Sequence, residues 1–93
     1  MKFLSTYSIR PGCTTQQAAS RFLADKGQPP EGITLLGRWH RTDLSGGFSL
    51  IETDDPALAY AFSLEWSDVL EMHTHPVIED AEAGAALAKK YGQ

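Results

Sequence analysis

His73 and His75 stand one residue apart in EMHTHPV, residues 71–77. On an extended strand, residues two apart share a face, so both imidazoles could reach one ion. Such a site needs a third ligand, for which His40 and Glu71 are the nearest candidates. The competing reading keeps both histidines as interface or cavity residues. GRWH, residues 37–40, is a second cluster. His40 could act as acid or base near neutral pH. Arg38 could hold a carboxylate or phosphate. Trp39 brings a large apolar surface and one N–H donor, and Gly37 inside a strand suggests a bulge or a close approach. Tyr7, Phe62 and Trp66 could line a pocket for a flat molecule, although aromatics at helical spacing more often pack a core. Glu65 and Asp68 flank Trp66 and default to surface acids. Cys13, at a helix start with no base to pair with it, reads as structural.

The elements that must position these groups follow from periodicity. KFLSTYSI (2–9) alternates and reads as a first strand. TTQQAASRFLADKG (14–27) reads as a helix, with Thr14 and Gln17 at capping-box spacing and Gly27 as the left-handed stop. Its apolar stripe is Ala18, Ala19, Phe22 and Leu23. ITLLGRWHR (33–41) and FSLIET (48–53) read as two strands of a hairpin around TDLSGG. A second helix over 54–70 starts with Asp55 as cap and Pro56 at its first position. Its inner face is Leu58, Phe62, Trp66 and Val69. LEMHTHPVI (70–78) reads as a fourth strand, whose Pro76 cannot donate to a ladder and so marks an edge or a strand end. EDAEAGAALAKKYG (79–92) reads as a terminal helix, with its acids first and its lysines last to match the helix dipole.

The order β-α-β-β-α-β with a helical tail predicts a ferredoxin-like α+β domain spanning 1–93: one antiparallel sheet with both helices on a single face. Right-handed crossovers give the strand order 4-1-3-2. Strands 2 and 4 are then opposite edges, about 14 Å apart at ~4.8 Å per spacing, so only a partner chain could bring a His40 to His73 and His75. Alternation groups Phe3, Ser5, Tyr7 and Ile9 with Phe48, Leu50, Leu70, Met72 and Ile78. It sets them against Leu4, Thr6, Ser8, Ser49, Ile51, Glu71, His73, His75 and Val77. On the second strand Ile33, Leu35, Gly37 and Trp39 oppose Thr34, Leu36, Arg38 and His40. The more apolar set belongs under the helices, and the mixed set forms an open face that a second subunit should cover.

Charge is partitioned along the chain. Residues 1–41 carry six Lys/Arg and two Asp/Glu, whereas residues 42–88 carry ten Asp/Glu and no Lys or Arg. The net charge of −4 without a basic cluster argues against nucleic acid and anionic membrane as partners. No stretch approaches the ~18 apolar residues of a membrane span, and the start lacks a signal-peptide pattern. One cysteine excludes an internal disulfide and suits a reducing cytoplasm. There is no phosphate loop, zinc-finger spacing or dinucleotide glycine pattern, so no cofactor is expected.

MKFLSTYSIRPG, PPEGITLLGRWH, GGFSLIETDDPALAYAF, EWSDVLEMHTHPVIED and the alanine-rich tail together resemble a family of short bacterial proteins, the domain of unknown function 3303 family. The resemblance covers nearly the whole chain, and GRWH with EW-x-D carries it best. It implies a dimeric α/β barrel, in which two ferredoxin-like chains stack their sheets, and it implies no particular activity. Related barrels include cofactor-free monooxygenases, lactone isomerases and haem-degrading enzymes, among which fold alone does not choose. Three functions follow as expectations. The first is a homodimer that binds a small organic molecule, or turns one over without a cofactor, using Tyr7, Arg38, Trp39 and Trp66 with His40 as acid or base. The second is a non-catalytic ligand- or protein-binding dimer. The third is a metal site built across the dimer by His73 and His75.

Overall fold

The structure, a computed structural model, describes residues 1–92. Its order is β1 (Lys2–Ile9), α1 (Thr15–Asp25), β2 (Thr34–His40), β3 (Gly46–Glu52), α2 (Pro56–Trp66), β4 (Leu70–Val77) and α3 (Asp80–Tyr91). The four strands form one antiparallel sheet in the order β2-β3-β1-β4, which is the ferredoxin-like arrangement expected from the sequence. Pro76 falls on edge strand β4, where a missing donor disrupts no inner ladder.

Local signals act where the sequence places them. The Thr14 hydroxyl accepts from the Gln17 amide while the Gln17 side chain accepts from the Thr14 amide, a complete capping box. The Asp55 carboxylate accepts from the Ala57 amide, and Pro56 opens α2. At the other end of α1 both Lys26 (φ 59°) and Gly27 (φ 61°) are left-handed, so the chain stops one residue earlier than the glycine alone suggests.

The core lies between α2 and the sheet. Phe3, Ile33, Ile51, Ala59, Phe62, Trp66, Val69 and Leu70 are buried together, with Ile51 only 2% exposed. Of the inner face expected for the second helix, Phe62 and Trp66 are buried on α2 and Leu58 is half-buried, but α2 ends at Trp66, short of the expected residue 70, so Val69 is buried in the connection to β4. The stripe on α1 behaves differently. No residue of α1 is buried, Ala18 and Phe22 pack against the core, and Leu23 is 74% exposed. Two arginines tie α1 to the body instead. Arg21 pairs with Asp68, donates to the Glu65 carbonyl oxygen at 2.7 Å and lies 4.6 Å over the Trp66 ring. Arg38 donates to the Gly27 carbonyl oxygen at 2.6 Å and stacks over Phe22.

Strand pairing corrects the expected faces. Phe3 pairs with Ile51 and Ser5 with Ser49, so Ile51 and Ser49 share the helix-covered side. Leu50 pairs with Leu4, and Phe48 with Thr6, on the open side. Three apolar residues at positions 48, 50 and 51 leave the phase of β3 open by alternation alone, and only the long-range register sets it. On β2 a bulge between Leu35 and Gly37 breaks the alternation. Leu35, Arg38 and His40 therefore lie on the covered side, opposite Ile51, Ser49 and Gly47, while Gly37 and Trp39 lie on the open side. Ile78, expected to end β4, lies beyond it and is exposed.

The radius of gyration, 15.7 Å, exceeds the ~12 Å expected of a compact chain this long. Helix α3 contributes to this, since none of its residues is buried. Lys2 on β1 pairs with Glu79 at its root.

Candidate functional site

A cavity of about 360 Å³ lies between α1, α2 and the sheet. Its size has a local cause. From β3 the floor beneath α1 receives only Gly46 and Ser49, and Gly47 lies beside Tyr7, so that strand carries little volume there. Gly47 must be glycine for a geometric reason: a Cβ would stand 2.5 Å from the Tyr7 hydroxyl oxygen and would collide with the Trp39 carbonyl oxygen. The bare backbone lets the phenol ring lie across β3 and donate to the Trp39 carbonyl oxygen at 3.3 Å.

From α1 the cavity receives Ala18, Ala19 and Phe22, from α2 Phe62 and Trp66, and from the sheet Ile9, Leu70 and Met72. Four expected site residues, Tyr7, Arg38, His40 and Trp66, also line it. The bulge in β2 is what turns Arg38 and His40 inward, a feature that Gly37 signals in the sequence but does not locate. His40 stands between two rings, edge-on to Phe22 at 5.5 Å and to Tyr7 at 6.5 Å. It is exposed, and its side chain makes no hydrogen bond within the described residues, so both ring nitrogens are free for a ligand or water. Arg38 is partly committed, since it also approaches the Lys26 carbonyl oxygen at 3.4 Å. Burial pushes the Tyr7 phenol above the usual tyrosine range, and the Arg38 charge opposes this in part. Tyr7 thus stays a protonated donor at neutral pH.

Trp39 does not join this site. It lies on the opposite face, 57% exposed, with its ring folded back over Gly37, where a Cβ would stand 2.5 Å from the indole. The expected pocket shared by Tyr7, Trp39 and Trp66 is corrected accordingly: the bulge puts Trp39 out of phase with the other two. Sequence reasoning also missed Arg41 and Met72 as lining residues. Met72 follows from its pairing with Tyr7, which only the sheet register reveals.

His73 and His75 do share one face, pairing across β1 with Thr6 and Leu4. His73 Nε2 lies 4.0 Å from Glu71, beside a cleft of about 150 Å³. Among the described residues no group of three or more His, Cys, Asp or Glu is placed to hold a metal ion. His40 faces the other side of the sheet, so stacking two open faces does not bring a partner's copy of it to these histidines.

The class this geometry defines is a ferredoxin-like α+β domain with a basic, aromatic-lined cavity beneath its first helix. Within that class the chain belongs to the family described as domain of unknown function (DUF3303), whose model matches residues 1–91. Comparison with curated proteins and with solved structures gives no match. Among the described residues no helix is long and apolar enough to cross a membrane.

Proposed function

We propose that this protein is a homodimeric small-molecule-binding domain, with the ligand held in the cavity between α1, α2 and the sheet. The observation that carries the reading is the convergence of Tyr7, Arg38, His40 and Trp66 on one space of about 360 Å³. That is more than twice the roughly 150 Å³ of an apolar cavity that accepts benzene. A purely non-catalytic module would need no proton-transfer group at its cavity, whereas His40 stands there with both nitrogens free. His40 is the group that exchanges a proton with the bound molecule if the protein turns one over without a cofactor.

A second copy of the chain covers the open sheet face. Leu4, Phe48, Leu50 and Trp39 sit on it in two adjoining rows, an apolar patch of the kind a sheet-to-sheet interface buries. The single thiol, Cys13, suits a reducing cytoplasm as the place of work. Native mass spectrometry on protein purified without tag or chelator tests both parts. The expected result is a dimer carrying an organic mass, and His40→Ala should remove turnover or weaken binding while leaving the dimer whole. A monomer would overturn the account of the open face. A His40→Ala protein that keeps full binding and turnover would remove His40 from the site.

A further inference from the structure

We infer that the cavity selects a flat apolar monoanion, an aromatic carboxylate of one or two rings. This rests on the reading of the cavity as a ligand site and adds the ligand's charge and shape. The chain as a whole is acidic, with 12 Asp/Glu against 8 Lys/Arg. The cavity reverses that balance: Arg38 and His40 line it, Arg41 stands at its rim with its guanidinium over Phe48, and among the described residues no carboxylate lines it. A wall with Arg38 and His40 and, among the described residues, no carboxylate is complementary to a negative ligand.

The rest of the wall sets shape. Phe22, Phe62 and Trp66 stand around the apolar body of the cavity and favour a planar ring by stacking and edge contacts. The head is held by few donors. Arg38 has already committed donors to the Gly27 and Lys26 carbonyls, so part of a five-donor guanidinium remains. Tyr7 gives its one O–H to the Trp39 carbonyl oxygen, which leaves a ring N–H of His40 as the second donor. That supply matches one carboxylate rather than a multiply charged phosphate, which would bring more charge and more acceptors into a largely apolar space.

The test compares three near-isosteric probes on the full-length protein: 2-naphthoate, neutral 2-naphthamide and cationic 2-naphthylmethylamine. Calorimetry gives affinity, and amide chemical shifts of α1 and β1 report where each probe sits. Naphthoate should bind at least tenfold more tightly than naphthamide, in keeping with a hydrogen bond to a charged group, and the amine should bind weakest. Arg38 also caps α1, so an independent variant is needed. Ala18→Asp places a carboxylate on the α1 wall without touching that cap, and it should shift preference from naphthoate toward the amine. Equal binding of naphthoate and naphthamide overturns the charge inference and leaves the cavity reading standing. An unchanged preference in a folded Ala18→Asp protein overturns it as well. No binding by any probe at the α1 amides overturns both.

Discussion

Replacing Gly47 by alanine tests the close packing of Tyr7, a cavity-lining residue, against the bare backbone of β3. The added methyl would stand 2.5 Å from the Tyr7 hydroxyl oxygen and would meet the Trp39 carbonyl oxygen as well. One obstacle is the end of a side chain, which can swing away. The other is backbone on the neighbouring strand, which can yield only by opening the His40–Gly47 pair of the β2–β3 ladder. Overpacking of this kind costs about 1–3 kcal/mol. Displacing Tyr7 from the Trp39 carbonyl adds about 0.5–1.5 kcal/mol. Alanine recovers roughly 0.5–1 kcal/mol by restricting the unfolded chain more than glycine does. The net loss is about 0.5–4 kcal/mol, centred near 2, against roughly 5–14 kcal/mol of stability for a chain of 93 residues. Gly47→Ala should therefore fold and, for a loss of about 2 kcal/mol, melt roughly 8–16 °C lower. Urea and thermal denaturation followed by far-UV circular dichroism measure it. Tyr7→Phe removes one of the two obstacles, so the same glycine change should cost less in that background, with a coupling of at least 0.5 kcal/mol. A Gly47→Ala protein within 0.5 kcal/mol of the parent would refute the close approach of Tyr7 and Trp39, and with it the reason for the placing of the Tyr7 ring.

Other perturbations bear on the remaining parts. In a Tyr60→Phe/Tyr91→Phe background the remaining phenol, Tyr7, should titrate above the usual value of about 10, read by ultraviolet absorbance. Because its folded pKa is raised, the stability it contributes is complete below the unfolded value and is lost as pH rises through the folded one. Arg38→Met frees the α1 carboxyl end, so α1 amides should exchange roughly tenfold faster or more while those of β1 hold, and uniform exchange would deny the arginine its tethering role. Trp39→Lys puts a charge into the apolar rows of the open face and should shift sedimentation toward monomer, with naphthoate affinity within about threefold of the parent. Stoichiometric metal in native spectra that disappears in His75→Ala would revive a metal centre on that face, whereas the present geometry expects the two spectra to match.

The sequence by itself determined the elements and their order. Alternation, the Thr14–Gln17 capping box, Asp55–Pro56 and the 3.6-residue spacing of Phe62 and Trp66 are local, so each is readable within one or two turns of chain. Right-handed crossovers then left one sheet order, and the structure has it. The candidate residues Tyr7, Arg38, His40 and Trp66 were also legible, because their chemistry is intrinsic to their side chains. Tertiary structure alone decided which of them meet. The bulge beside Gly37 inverts one strand's phase, taking Trp39 out of the site and Arg38 and His40 into it. The phase of β3 was hidden for a related reason, since a strand apolar on both faces gives alternation nothing to read. The cavity itself was invisible in sequence. It exists because two arginines hold α1 over a sheet floor of glycine and serine, and a space of that kind is set by side chains that are small or absent rather than by any motif.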